Sequence, residues 1–412
     1  MSPPPWSTPW RSWPMPKTSI DAEIQETKVA GDNARPADQG AAAIEPDDFN
    51  LPVDLKNLRS GFTTGTAATA AAVAAARLLL GESPSGLVEV SLPAGRRLEV
   101  NIAQAVLINT DESMAIVVKD GGDDPDVTNG AEIGAIARRR SDKGLLHIIG
   151  GPGVGRVTKA GLAVPPGQWA INPGPMSMLR ENLSPFLEHA ALPGLEVEVF
   201  VEKGEELAPK TLNPRLGIVG GISILGTTGL VKPFSNEAYL STIESALNQL
   251  AALGRDEVVL TTGRQSEKLI MALRPDLPEE CFVQVADFFG ASLKLASARG
   301  LATVGLAAFF GKTVKQAAGH FYTHAHHNDQ DIKTLADWLS PMIDDKIRQE
   351  MAEALTARGA LDILRQAGRL DLVEGVAERA LASARSVAGS RPKLWMKVFD
   401  YDGRLLTGVR NG

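Results

Sequence analysis

From about residue 210 onward, short apolar runs alternate with longer amphipathic ones, and this alternation restricts the fold more than any other feature of the chain. "RLGIVGG" reads as a strand running into the glycine-rich "GISILGTTGLV", and Ser235 to Leu253 reads as a helix. "EVVLTTG" (strand), "RQSEKLIMALR" (helix), "CFVQVAD" (strand), "FFGASLKLASARG" (helix), "LATVGLAAF" (strand) and "GKTVKQAAGHF" (helix) follow in turn. A chain that alternates in this way is expected to form a parallel, doubly wound sheet, with ligands at the carboxyl ends of its strands. Thr334 to Ala388 reads as helical, and "KLWMKVFDYDGRLLTG" as a closing hairpin.

The first half is patterned differently. In "SGFTTGTAATAAAVAAARLLLG", alanine and leucine predict a helix over Ala67 to Leu80, with Thr66 as N-cap and Gly81 as the stop. "LVEVSLP" and "RLEVNIAQAVLI" alternate about a glycine-containing turn, which predicts a hairpin. "MAIVVKD", "GAIARRR", "LLHIIGG" and "LEVEVFVEKG" read as further strands, and "SMLRENLSPFLEHA" as a helix. Clustered strands indicate a layered α+β unit. The expected fold class is therefore an α+β N-terminal layer domain plus an α/β Rossmann-like C-terminal domain. The expected boundaries are 1–55 for a disordered extension rich in Pro, Trp and small polar residues, 56–210, 211–335, and 336–412 for the helical tail and hairpin.

Composition narrows the function classes. A formal net charge of -7 argues against nucleic acid as the main partner. No apolar run reaches the length of a membrane span. The lone Cys281 excludes an internal disulfide and a CxxC metal site, and fits a reducing cytoplasm. Homo-oligomerisation is left open.

Five stretches carry chemistry. "SGFTTGT" puts hydroxyls and amides at a helix start, which suits either an anion or a simple cap with a turn. "VVKDGGDDPDVTNG" packs Asp120, Asp123, Asp124 and Asp126 into one loop. Such a loop holds ribose hydroxyls or a metal, takes a proton, or forms Asx turns. "GIVGGISILGTTGLVKP" is neither GxGxxG nor a P-loop, yet its glycines admit a nucleotide-like ligand or tight packing. "GHFYTHAHHNDQD" holds His320, His324, His326 and His327, a polar pocket rim in preference to a metal site. Arg138, Arg139 and Arg140 offer an anion contact or a solvated strand end.

Together with "VTKAGL", "AINPGPMSML" and "FFGASLKLA…GKTVKQAAGHFYTH", these strings occur in the order seen in the cobalt-precorrin-5B C(1)-methyltransferases, the CbiD family, which the chain resembles over roughly residues 57–335. The chain departs from that pattern at Ala67 (commonly cysteine), at Asn129 and Phe309 (commonly histidine), and in lacking an arginine after "THAHHND".

The resemblance implies methyl transfer from S-adenosylmethionine to carbon 1 of a cobalt-containing tetrapyrrole in anaerobic cobalamin biosynthesis, with no protein-bound metal. It implies catalytic roles for Asp123 and Asp124, and donor contacts from Gly226, Thr227, Thr228 and Asp126. The carboxylate-rich ring would meet Thr63, Thr64, Lys119, Arg138, Lys159, Lys312 and His324. A non-catalytic tetrapyrrole-binding paralogue and a nucleotide-dependent oxidoreductase are the alternatives.

Overall fold

The computed structural model describes residues 58–83, 86–189, 192–324 and 331–410. The N-terminal 1–55 segment and His326 and His327 lie outside these residues.

The chain opens with β1 (Gly61–Phe62) and enters α1 (Thr64–Leu79). A hairpin of β2 (Leu87–Ser91) and β3 (Arg97–Asn101) follows, then β4 (Gln104–Asn109), β5 (Glu112–Val118), β6 (Glu132–Arg140) and β7 (Leu146–Gly150). The run "RLEVNIAQAVLI" is therefore two strands, not one. Ile102 N–H bonds Gly86 O and Ala103 N–H bonds Ile116 O, so the chain changes sheets between them. Next come β8 (Gly153–Val154), β9 (Arg156–Val157), α2 (Pro173–Leu183), β10 (Gly194–Val201) and α3 (Gly204–Leu207).

The main sheet of this half runs β4-β5-β6-β10-β7, antiparallel except where β10 meets β7. Helix α1 packs across β5 and β6 and against α2. Ala67, Ala68, Ala70, Ala71, Ala72, Ala74, Ala75 and Ala76 are all fully buried. A helix buried on every side must be thin, and alanine lets both sheet and helix approach closely. At Gly65 even a methyl group would sit 2.7 Å from Pro175 Cγ.

"RLGIVGG" does not open the parallel sheet. It forms β11 (Ile218–Val219), which pairs with β9, and β12 (Gly221–Ile222), which pairs with β8. β13 (Leu230–Val231) then pairs with β1. Gly226, Thr227 and Thr228 thus belong to the first half, not to the α/β sheet. Strands two residues long show no alternation, so sequence periodicity cannot assign them to a sheet.

The second half begins with α4 (Asn236–Ala252), capped by Ser235. It continues with β14 (Glu257–Thr261), α5 (Arg264–Leu273), β15 (Phe282–Gln284), α6 (Phe289–Ala298), β16 (Thr303–Phe309) and α7 (Phe310–Ala317). Helices α8 (Asp331–Leu339), α9 (Asp345–Glu353), α10 (Ala357–Gln366) and α11 (Leu372–Ala388) lead to β17 (Lys393–Phe399) and β18 (Leu405–Arg410). The sheet order is β15-β14-β16-β17-β18, parallel up to β17, with β18 antiparallel at the edge. The segment after residue 335 is therefore not separate, because β17 extends the sheet beside β16. Helix α5 covers one face through Ile270, against Val259, Phe282, Ala307 and Phe399. Helices α4, α6, α7, α10 and α11 bury the other.

Candidate active site

The threonines of "SGFTTGT" are consumed locally. Thr63, not Thr66, is the N-cap of α1, and its Oγ1 accepts from Thr66 N–H. Thr66 Oγ1 instead donates to Gly229 O at 2.6 Å. Buried Thr64 accepts from Leu225 N–H at 2.8 Å, and Gly65 N–H donates to Leu225 O. The segment Leu225–Gly229 therefore clasps the start of α1. Gly226 has φ +135, and a Cβ there would lie 2.4 Å from Thr63 Oγ1. The glycine serves close backbone approach. Thr227 and Thr228 are exposed beside this clasp, Thr228 bonded to Leu230.

The acidic loop has two kinds of carboxylate. Asp120 grips the Arg59 guanidinium with both oxygens and accepts Gly122 N–H, and these donors hold it below the usual carboxylate range. Asp126 accepts from Lys119 Nζ at 2.7 Å and from the backbone and hydroxyl of Thr128. Burial works to raise the Asp126 carboxyl, but Lys119 and Thr128 outweigh it and keep it low. The Lys119 side chain is 1% exposed, so its charge serves Asp126.

Asp123 and Asp124 hold only backbone amides, those of Arg59 at 2.6 Å and Phe234 at 3.1 Å. Neither is ion-paired with a described residue, and Asp123 is exposed. Asn129 accepts Gly121 N–H at 2.8 Å and closes the loop.

Beside the clasp lies an open pocket of 520 Å³ lined by Ile148, Arg156, Val164, Gln168, Trp169 and Met176. The Arg156 guanidinium stacks 3.9 Å from the Trp169 ring centroid, and its Nη1 donates to Gly167 O. Asn172 N–H bonds Ile224 O, and Gly174 lies against Gly226, so the pocket floor continues into the clasp. Sequence reasoning missed this pocket, because Arg156 lies in a two-residue strand with no alternation and Trp169 lies 13 residues away, although Ile171, Pro173 and Met176 of "AINPGPMSML" also line it.

A model of the CbiD family matches residues 52–233, and a model of its C-terminal domain matches residues 322–410. A cobalt-precorrin-5B C(1)-methyltransferase from Nitratidesulfovibrio vulgaris is 43% identical over 388 residues, covering 92% of this chain and 99% of its own length. The chain belongs to the CbiD family. A relative of the same name from Geobacter sp. (strain M21) is 42% identical over 358 residues, 85% of this chain and 98% of its own. A solved cobalamin biosynthesis protein (cbiD) from Archaeoglobus fulgidus is 27% identical, covers 76% of this chain and 85% of its own, and superimposes with a TM-score of 0.35.

In this CbiD-family chain the remaining sequence-predicted residues separate. Arg138 is held by Glu112, Glu198 and Glu196 at 2.8, 2.7 and 3.3 Å on the sheet face away from α1. Its guanidinium is committed to those carboxylates rather than to an external anion. The Lys159 stem lies against Gly217, and its charge acts on Glu280. Lys312 and His324 come together at the carboxyl rim of the second sheet. There Lys312 Nζ donates to Asp287 Oδ1 and to Ala286 O, both at 2.9 Å. His324 stacks on Tyr322 with ring centroids 6.1 Å apart. Among the described residues no group of three or more His, Cys, Asp or Glu could hold a metal, and no helix is long and apolar enough to cross a membrane. Buried Cys281 has its thiol pushed up to about 11 by burial, the opposite of an activated nucleophile.

Proposed function

We propose that this chain is a cobalt-precorrin-5B C(1)-methyltransferase, which methylates carbon 1 of cobalt-precorrin-5B to give cobalt-precorrin-6A in anaerobic cobalamin biosynthesis. The observation that carries the reading is 43% identity across 99% of the length of a relative so named. The donor is S-adenosylmethionine, whose sulfonium supplies an activated methyl group. The protein's task is to align two reactants and exclude water.

The tetrapyrrole is placed in the open pocket and across the exposed Thr227–Thr228 edge of the clasp. Trp169, packed under Arg156 and against Gly150, lines the pocket and holds Arg156 as a partner for a ring carboxylate. Asp123 and Asp124 are assigned to the chemistry. They are the two loop carboxylates whose charge no ion pair with a described residue neutralises, so they are free to balance a cation or to take a proton from the ring. Thr63, Thr64, Lys119, Asp126 and Gly226 build the platform that positions them. The parallel order β15-β14-β16-β17, helix-covered on both faces, supports a Rossmann-like reading of the second half.

The test is anaerobic incubation with cobalt-precorrin-5B and isotopically labelled S-adenosylmethionine. One labelled methyl in the tetrapyrrole, matched by S-adenosylhomocysteine, is expected. Tetrapyrrole binding with no methylated product would favour the non-catalytic paralogue instead.

A further inference from the structure

We propose that the nucleoside of the methyl donor binds at the carboxyl rim of the second sheet, with Asp287 accepting its ribose hydroxyls. This rests on the donor reading above and replaces the Gly226–Thr228 segment as the donor's site. In chain order the parallel strands lie 2-1-3-4, so successive connections leave β14 in opposite directions. A crevice must open where they diverge, outside the carboxyl ends of β14 and β16 and beside that of β15. The residues that follow those strand ends are Thr262–Gly263, Ala286–Asp287 and Phe310–Lys312.

Three features of this rim fit a nucleoside. Asp287 is fixed through one oxygen, as Oδ1 accepts Lys312 Nζ at 2.9 Å and Thr323 Oγ1 at 2.8 Å, while Oδ2 accepts from no described residue. A carboxylate oriented in this way suits a vicinal diol, which presents two hydroxyl donors. Ala286 takes φ +47, a left-handed conformation that a residue with a Cβ adopts at a cost, and this turns the chain into Asp287. Tyr239 is exposed at this rim and is backed by buried Phe288 and by Tyr322, with successive centroids 5.5 and 5.4 Å apart, so its ring is the one a flat base can meet.

An independent observation comes from α7. Gln316 lies one turn further along α7 than Lys312, below the rim, fully buried, with neither amide atom hydrogen-bonded. A buried amide with donor and acceptor both open is what a ligand or a bridging water would satisfy.

The rim also lies within reach of the acidic loop. Asp124 holds Phe234 N–H at the entry to α4, and Tyr239, in the first turns of that helix, packs its tilted ring against Phe288. Lys312 and Thr323 act as positioning residues for Asp287.

The test is calorimetric titration of the full chain with S-adenosylhomocysteine, adenosine and 2′-deoxyadenosine. Wild type is expected to bind S-adenosylhomocysteine and to prefer adenosine over 2′-deoxyadenosine. Asp287→Asn is expected to weaken S-adenosylhomocysteine on the order of tenfold or more and to lose the preference. Thr323→Val, a gentler change, is expected to erode the same preference, which guards against misfolding of the first variant. An unchanged preference in both folded variants, with tight S-adenosylhomocysteine binding, would overturn the assignment and leave the donor reading standing. Absence of S-adenosylhomocysteine binding to wild type would overturn the donor reading itself.

Discussion

Lys119 shows how one residue shapes the acidic loop. Its ammonium is buried and its partner Asp126 is partly solvated. Lys119→Met leaves that carboxylate without its cation and is expected to cost about 2 kcal/mol, below the range for a fully buried pair because water still reaches Asp126. Thermal unfolding measures it. The Asp126 carboxyl is lowered in the folded protein, so its contribution to stability is present above the unfolded value of about 4 and fades as pH falls through the folded value. Asp126→Asn should therefore be less stable than wild type at neutral pH, and the gap should close in acid. Asp123 and Asp124 behave differently, since no ion pair with a described residue depends on them. Alanine at either is expected to lower methyl transfer by about a hundredfold while the melting temperature stays within a few degrees. Near-normal turnover would remove both from the chemistry.

Among elements, α1 is the most demanding. Ala71 and Ala72 are fully buried on a helix packed between a sheet and α2, so Ala72→Leu is expected to destabilise the chain by about 1–3 kcal/mol through overpacking, read by urea unfolding. Gly226→Ala combines a left-handed φ with a clash against Thr63 and should cost a similar amount. The helices and longer strands were legible in the sequence, because α4 to α7 are amphipathic and β14 to β16 are short, continuously apolar runs between turns. The clasp was not. The Thr64–Leu225 bond spans 161 residues, and nothing local in "FTTGT" says that its hydroxyls are spoken for. The same holds for Lys119 and Arg138, which read as anion contacts until their carboxylate partners are in view. Lys312 read only as a contact for ring carboxylates and His324 as part of a polar pocket rim, while Asp287, which binds Lys312, looked like an ordinary strand end in "CFVQVAD".

On the proposed reading, both halves of the molecule serve one reaction. The first supplies the acidic loop, the clasp and the open pocket beside it. The second supplies the parallel-strand rim with Asp287. Residues 234–239 join them, held by Asp124 at one end and packed against Phe288 at the other. Methyl transfer needs this kind of geometry, with donor and acceptor carbon aligned on opposite sides of one cleft. The central claim is that the methyl group goes to carbon 1 of the ring. Carbon NMR of the product formed from cobalt-precorrin-5B and ¹³C-methyl-labelled S-adenosylmethionine tests it most directly. A single enriched methyl attached to carbon 1 is expected; label at another ring carbon, or no label in the ring, would rule this regiochemistry out.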